Sequence, residues 1–302
     1  MLSIIGLTPF AQADTPKVVV SIKPIHSLVS GVMLGLDKPE LLIPASQSPH
    51  SFSLRPSDVR KLQTANMIIW VGEDFETPLT HILESSSKHT RVIELMNQPG
   101  IQHLPVRKGG VWDKSSHPAA EAESHRHHHD HDPHIWLSIN NARFIVNISR
   151  DLLAEIDPEH KTKYQKNAQR MLTRLDELDD ELHETLSSIR EIPYMVFHDA
   201  YQFFEQQYDL NTVGSIVISP ERQPGARRIH QVHRKLQRLE ARCIFSEPQF
   251  QPKLLMTLTE GTQVKTGILD PVGAYLPAGP DAYFLLMRNL VDNLVECLGA
   301  RP

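Results

Sequence analysis

Residues 158–192 read PEHKTKYQKNAQRMLTRLDELDDELHETLSSIREI, and within this stretch apolar side chains recur at steps of three and four. That spacing places them on one face of an α-helix. Asp157 is suited to the N-cap and Pro158 to the first turn, whereas Pro193 ends the pattern. A helix of about 32 residues would be about 50 Å long at about 1.5 Å per residue. The apolar face consists of Met171, Leu175, Leu178, Leu182, Leu186 and Ile189.

Short apolar runs lie on both sides of this helix. Four precede it and four follow it, and helical patterns alternate with the runs. Such alternation predicts parallel sheets with right-handed crossovers. The expected fold class is α/β, with two lobes that each contain a four-stranded, mainly parallel sheet and are joined by one long rigid helix. The predicted strands are 17–22, 40–43, 67–71 and 91–95 before the helix, and 194–198, 212–217, 242–246 and 263–269 after it.

The same pattern predicts how the chain divides. Residues 14–156 would form the N-terminal lobe, residues 157–191 the linking helix, and residues 192–302 the C-terminal lobe. The alternative is that the long helix belongs to the core of a single domain. No residue-level repeat relates the two halves.

Composition excludes several classes of protein. The chain has 302 residues, of which 40% are hydrophobic and 22% charged, as in ordinary globular proteins. A net charge of −5 gives no basic footprint for nucleic acid. No apolar run approaches the roughly 20 residues of a membrane helix. We therefore expect neither a nucleic-acid partner nor a membrane span.

The N-terminal residues indicate export. Residues 1–17 read MLSIIGLTPFAQADTPK, in which a short apolar core precedes Ala11-Gln12-Ala13. An A-x-A pattern of this kind ends secretory signal peptides, so residues 1–13 are predicted to be a signal-peptide remnant. The basic region that usually opens such peptides is missing, and a cytoplasmic N-terminus is the alternative.

The chain has two cysteines, Cys243 and Cys297. An even count in an exported protein predicts one disulfide. Two separate buried thiols are the alternative.

A histidine-rich segment spans residues 115–134, which read SSHPAAEAESHRHHHDHDPH. It has no apolar residue larger than alanine, which predicts a mobile, solvated loop. Imidazoles beside carboxylates suit zinc, copper, nickel or cobalt, although a low-complexity loop without function has a similar composition. Ordering such a loop offsets much of the gain from each ligand, so we expect a secondary, weaker metal-binding loop. Its ligands would be His117, His125, His127, His128, His129 and His131.

Four other residues form a candidate primary site. In open α/β sheets, ligands bind beyond the carboxyl ends of the strands. His198 and Asp270 follow predicted strands directly, and His50 lies in the polar loop after residue 43. His134 leads out of the histidine-rich segment. Three imidazoles and a carboxylate are a plausible zinc set, although each of these residues has an ordinary structural role as its alternative.

Seven segments resemble the solute-binding proteins of bacterial zinc-uptake ABC transporters, in order and over the whole mature chain. They are SIKPIHSLVS at 21–30, SPHSFSLRPSDVRKLQTANMIIWVG at 48–72, DPHIWLS at 132–138, VFHDAYQFFEQQY at 196–208, SPERQPGARRIH at 219–230, CIFSEPQFQP at 243–252 and GILDPVG at 267–273.

The resemblance implies the ligands of a Zn²⁺ site. They map to His50, His134 and His198, with Asp270 as a fourth. Manganese-type relatives typically have glutamate at the position of His198, and histidine there favours zinc. Zinc-type members often have an acidic residue immediately before the first histidine, whereas this chain has Pro49.

The family also implies two α/β lobes joined by one long helix and a cysteine pair that matches Cys243 and Cys297. The expected function is periplasmic Zn²⁺ binding and delivery to the membrane permease of an ABC transporter, by a protein that is a monomer and not an enzyme.

Two other functions remain open. A zinc hydrolase would use three histidines and a bound water, but the chain contains no H-E-x-x-H motif. A metal-buffering or adhesion protein would use the histidine-rich segment as its main working part.

Overall fold

A parallel sheet forms the first half of the fold. The computed structural model describes residues 15–44, 47–86, 89–107, 131–217, 224–238, 241–248 and 253–299. The first sheet has the strand order β2-β1-β3-β4 and every pair is parallel. Its central strands are apolar and buried on both faces, as helices on both sides require. The strands are β1 (Val18–Val20), β2 (Glu40–Leu41), β3 (Met67–Trp70) and β4 (Arg91–Glu94).

A second parallel sheet has the corresponding order β6-β5-β7-β8. Its strands are β5 (Tyr194–Val196), β6 (Thr212–Ser215), β7 (Cys243–Ser246) and β8 (Lys265–Ile268). The predicted fold class, two four-stranded sheets joined by a long helix, is confirmed. The domain boundaries proposed from the sequence stay predictions.

Nine α-helices lie in the described part of the chain, and most of them alternate with the strands. They are α1 (Lys23–Val32), α2 (Pro56–Thr64), α3 (Thr80–Glu84), α4 (Ile139–Ile156), α5 (Lys161–Leu186), α6 (Gln202–Gln207), α7 (Ala226–Arg238), α8 (Lys253–Thr259) and α9 (Ala282–Gly299). None of these helices has the length and hydropathy of a membrane span.

The long helix α5 follows a 3₁₀ turn over Pro158–His160. Asp157 occupies the N-cap position of this turn and Pro158 its first position, as predicted, but the Asp157 side chain makes no capping hydrogen bond. Its carboxylate instead accepts from the Tyr164 hydroxyl at 2.8 Å and pairs with Nδ1 of His160 at 2.8 Å. The apolar face of α5 is buried along the whole helix.

Helix α5 joins the lobes from within a shared core. It packs against α1 and α4 of the first half and against α9 of the second. Met171 of α5 packs directly against Gly31 of α1. A Cβ built on Gly31 would lie 2.2 Å from the Met171 sulfur, so no larger residue fits at position 31 without a shift of Met171. On its outer side, Arg288 of α9 pairs with Glu181 at 2.6 Å. Helix α5 therefore connects the two halves and is also part of their common core.

The predicted disulfide between Cys243 and Cys297 is confirmed. It connects the start of β7 to the end of α9, across 54 residues of chain. It therefore ties the last helix to the second sheet.

Candidate metal centre

Three histidines meet where the carboxyl ends of the two sheets face each other. His50 lies in the loop after β2, His198 follows β5, and His134 directly precedes a 3₁₀ turn at Ile135–Leu137. One ring nitrogen from each lies within 4.8 Å of the other two. Among the described residues, this is the one group of three or more such side chains spaced for a metal ion. All three histidines therefore lie near the carboxyl ends of strands, where the rule for ligands in open α/β sheets (the strand-end rule) directs the search.

Asp132 orients His134. The Asp132 carboxylate lies 2.7 Å from Nδ1 of His134 and accepts from its backbone N–H at 3.0 Å. Burial raises the pKa of Asp132 to about 7, and a cation bound nearby would favour the ionised carboxylate. Burial, followed by the charge of His198, holds the pKa of His134 well below its ordinary value. Sequence reasoning missed Asp132, although it lies only two residues before the predicted ligand.

Glu247 has the same role for His198. It directly follows β7, and its carboxylate is hydrogen-bonded to Nδ1 of His198. Burial alone would lower the pKa of His198, but Glu247, together with the charges of Asp199 and Asp132, opposes burial, and the pKa is raised. Burial raises the pKa of Glu247, which His198 opposes. The strand-end rule could have found Glu247, because it occupies the edge at which ligands were expected.

The two buried rings present their other nitrogens to each other. An ionised carboxylate at Nδ1 of each ring favours the tautomer with its proton on Nδ1, which leaves Nε2 as the nitrogen that can bind a metal. Nε2 of His134 lies 3.3 Å from Nε2 of His198. Two nitrogens bound at about 2.05 Å to a tetrahedral zinc ion are about 3.3 Å apart. The spacing of these atoms therefore suits one shared zinc ion.

His50 is the outermost of the three. It is half-buried, whereas His134 and His198 are each 4% exposed. Its ring centroid lies 5.9 Å from that of His134 and 6.1 Å from that of His198. The ring meets the edge of Phe75 at 4.6 Å. His50 therefore lies between the buried pair and solvent.

The wall around these rings is mainly apolar. Phe75, Trp136, Pro271 and Val272 line the cavity. The Trp136 indole N–H donates to the Pro271 carbonyl at 2.7 Å, which joins the two lobes beside the histidines. Low polarity strengthens electrostatic interactions with an ion held inside.

Comparison with known proteins identifies the family. The model of the family described as zinc-uptake complex component A, periplasmic (ZnuA), matches residues 18–297. The chain belongs to this zinc-uptake family. The high-affinity zinc uptake system protein ZnuA of Brucella abortus (strain 2308) is 41% identical, over 93% of this chain and 91% of the relative. The ZnuA protein of Yersinia pestis is 33% identical, over 96% of this chain and 93% of the relative.

Solved structures share the fold. A crystal structure of ZnuA has a TM-score of 0.79 at 22% identity and covers 94% of this chain and 100% of its own. The AdcAII protein of Streptococcus pneumoniae has a TM-score of 0.76 at 24% identity and covers 95% of this chain and 100% of its own. The two-sheet architecture is therefore shared with these solved structures.

Asp270, predicted as a fourth ligand, is not in the histidine cluster. Its Oδ1 accepts from the backbone N–H groups of Val272 at 3.1 Å and Gly273 at 2.9 Å, and its Oδ2 accepts from that of Ala274. These bonds hold the turn after β8, which is the ordinary structural role that the sequence left open as the alternative for Asp270. Direct bonding of Asp270 to a metal would require the carboxylate to come closer to the three histidines than it does here.

Arg107 joins the two halves beside the site and was not found from the sequence. Its guanidinium contacts both oxygens of Asp199 and lies 2.8 Å from the Glu205 carboxylate. Burial raises the pKa of both carboxyl groups, which Arg107 opposes. Asp199 does not cap the following helix, because α6 begins only at Gln202 and Arg107 holds the Asp199 carboxylate.

Most of the predicted secondary loop lies outside the described residues, as does the signal-peptide remnant 1–13. His131 is described, and it is exposed at the end of the segment. The loop histidines outside the described residues are His117, His125, His127, His128 and His129.

Proposed function

We propose that this protein binds Zn²⁺ in the periplasm and delivers it to the membrane permease of an ABC-type zinc importer. Zinc is the cargo, and His50, His134 and His198 are its ligands. The observation that carries the proposal is the 3.3 Å spacing of the Nε2 atoms of His134 and His198. Membership in the zinc-uptake family supports the same cargo.

The donor set favours zinc over harder cations. Three imidazoles suit zinc and its neighbours in the first transition series, whereas Mg²⁺ and Ca²⁺ prefer oxygen ligands. Carboxylates on the far nitrogens of two rings fix the tautomer and raise the basicity of the ligand nitrogens. Solvent or a rearranged Asp270 would complete a four-coordinate ion.

The site favours binding over hydrolysis. Glu247 is the one carboxylate in the described cavity wall, and it is already bonded to His198. A hydrolase would need a base free to accept a proton from zinc-bound water. We therefore assign the site to transport, with a permease as partner and the monomer as the working form.

Two measurements test this function. Purified protein should bind one Zn²⁺ tightly by competition with a chelating dye, and alanine at His50, His134 or His198 should weaken binding strongly without loss of fold. A strain that lacks the protein should grow poorly in chelated medium and recover with the wild-type chain.

The alternatives give different results. Wild-type affinity in all three alanine variants would place the site elsewhere. Normal growth of the deletion strain with reduced tolerance of excess zinc would indicate buffering. Hydrolysis of activated esters that disappears in the same variants would indicate a hydrolase.

A further inference from the structure

We propose that Tyr283 and Gln207, both from the second half of the chain, are positioning residues for His134, which comes from the first half. They keep His134 beside His198, so that the two buried histidines form one preformed pair whether or not zinc is bound. The proposal rests on the proposed function, because it takes zinc as the ion that the pair receives. It deepens that function by assigning the movement that admits and releases zinc to the third ligand, His50.

The 3₁₀ turn that precedes α4 is held by the second half at three points. The Trp136 indole N–H donates to the Pro271 carbonyl at 2.7 Å, and the Trp136 carbonyl accepts from the Tyr283 hydroxyl at 2.8 Å. At the end of the turn, the Ile139 N–H donates to Oε1 of Gln207 at 3.0 Å. All three bonds cross from one half of the chain to the other, so the turn cannot leave the second half without losing them.

Both positioning side chains are themselves anchored. Tyr283 of α9 is completely buried, and its backbone N–H donates to the Ser27 hydroxyl oxygen at 2.9 Å. Gln207 is the last residue of α6, and its Nε2 donates to the Asp179 carboxylate of α5 at 2.7 Å. Because the nitrogen of the amide faces a carboxylate, its oxygen faces the N–H of the turn. Each side chain is therefore fixed before it reaches the turn.

The same bonds tie the two ligand-bearing segments to each other. Ile139 lies five residues after His134, and Gln207 belongs to the helix that begins four residues after His198. The bond between Ile139 and Gln207 therefore closes a short path from one buried histidine to the other. The 3.3 Å separation of the two Nε2 atoms is the result.

His50 is held in a different way. It lies in the loop between β2 and α2, and its ring packs against Phe75 of the first half. The described part of this loop, residues 47–55, contains no helix or strand. A movement of the first half relative to the second would therefore carry His50 away from a pair that stays intact. Zinc would lose one ligand at a time, beginning with the one nearest to solvent.

The main test compares two changes of tyrosine to phenylalanine in the full chain. Tyr283→Phe removes the hydroxyl that holds the turn. Tyr164→Phe is the matched control, because Tyr164 is equally buried and its hydroxyl donates to Asp157 at 2.8 Å near the start of α5. Both variants should unfold at lower urea concentration. Only Tyr283→Phe should also weaken zinc binding, by about fivefold, which corresponds to one net hydrogen bond.

Competition with a chelating dye measures these affinities, and Gln207→Met should act in the same direction as Tyr283→Phe. The visible spectrum of bound Co²⁺, which reports the geometry of its ligands, should change in Tyr283→Phe and stay as in the wild type in Tyr164→Phe. Equal zinc affinities and equal spectra for the two phenylalanine variants would overturn the positioning role.

A double-mutant comparison shows on which ligand Tyr283 acts. In a His50→Ala background the remaining ligands are the buried pair, so Tyr283→Phe should lower zinc affinity by the same factor as in the wild type. A loss that disappears in this background would mean that Tyr283 acts through His50, which would overturn the proposal.

Hydrogen exchange of the zinc-free protein tests the pair without any metal. The indole proton of Trp136 should be protected as strongly as the backbone amides in the middle of α5, and Trp136→Phe identifies its signal among the three tryptophans. Exchange within minutes while α5 stays protected would show that the halves part at this turn, and would overturn the proposal. A wild-type protein that binds no zinc tightly would instead contradict the proposed function, and the exchange measurement would still decide whether the pair is held.

Discussion

Nε2 of His134 lies 3.3 Å from Nε2 of His198, and a carboxylate holds each ring by its other nitrogen. The two histidines come from opposite sides of α5 in the sequence, so this short distance is set where the two halves meet. Because the separation already suits a tetrahedral ion, little reorganisation should oppose binding. Preorganisation of this kind increases affinity by lowering the cost of ordering the ligands.

Removing either orienting carboxylate should weaken zinc binding. Asp132→Asn and Glu247→Gln keep the size of each side chain and remove its charge. Outer partners of metal-bound histidines typically contribute about 10–100-fold in affinity, and we expect losses in this range for each variant. Competition with a chelating dye measures the change.

Asp176→Asn is the control for charge alone. Asp176 is an exposed carboxylate that pairs with Arg143 on the surface, and its loss should leave zinc affinity unchanged. Equal affinities for the control and both test variants would mean that the carboxylates do not support the ligands.

Arg107→Met should destabilise the fold strongly. It leaves the buried Glu205 carboxylate and the half-buried Asp199 carboxylate without their cation, and breaking a buried pair in this way costs about 3–5 kcal/mol. Denaturant unfolding measures the loss. Arg91→Met removes an exposed partner of Glu155 and should cost less than about 1 kcal/mol.

A second variant tests the cause of the Arg107 effect. Glu205→Gln in the Arg107→Met background removes one of the stranded charges and should recover part of the stability. If the double variant is less stable than the single one, lost packing accounts for the effect better than stranded charge.

Glu76 should make stability depend on pH. Its side chain is completely buried, and burial raises its pKa from 4.5 to about 7. A carboxyl group with a raised pKa in the folded state contributes stability below about pH 4.5, and this contribution is lost as the pH rises through about 7. The free energy of unfolding of the wild type relative to Glu76→Gln should therefore fall by at most about 3 kcal/mol from pH 4.5 to 8.

Urea unfolding of both proteins across this pH range gives the comparison. Parallel stability curves for wild type and Glu76→Gln would show that Glu76 does not titrate between these pH values in the folded protein.

Removing the disulfide should affect stability more than zinc binding. Closing a loop of 54 residues contributes about 4 kcal/mol in the chain-entropy model. Cys243 begins β7, and Glu247 follows the other end of that strand, about 13 Å away at about 3.3 Å per residue. The double variant Cys243→Ser, Cys297→Ser should unfold at lower denaturant and keep its zinc affinity. A large loss of affinity with little loss of stability would contradict this.

Local patterns in the sequence predicted most of the fold. Runs such as Met67–Trp70 are apolar throughout because their strands are buried on both faces. Such a run can be recognised as a strand of a parallel sheet without knowledge of its tertiary contacts. The strand-end rule then located His198.

The pairing of Arg107 with Asp199 and Glu205 could not be predicted in this way, because it depends on which segments of the two halves meet. Asp132 and Glu247 lie where local rules could have indicated them, two residues before His134 and directly after β7. The Asp157 carboxylate contacts two local partners, the His160 ring and the Tyr164 hydroxyl, in place of the backbone N–H groups that a capping side chain would bind.

Asp270 is the residue for which sequence and structure lead to different expectations. As a ligand it would supply charge to the ion, whereas in the structure its oxygens accept from three backbone N–H groups of the turn at Val272–Ala274. The Lys23 ammonium donates to the Leu276 carbonyl at 2.6 Å and holds the other end of this turn. Because Pro271 and Val272 line the cavity, the turn positions part of the wall around the histidines.

Asp270→Asn separates the two roles. The amide can accept through one oxygen but presents a donor to at least one N–H of the turn, so the turn should loosen and thermal stability should fall even without zinc. If Asp270 only holds the turn, Lys23→Met should lower zinc affinity to a similar degree, because it releases the same turn from the other end. If Asp270 is a ligand, Asp270→Asn should lower affinity far more than Lys23→Met, and a zinc-bound structure should show a Zn–O distance of about 2.0–2.2 Å. Unchanged stability and unchanged affinity in Asp270→Asn would exclude both roles and leave a site of three histidines completed by solvent.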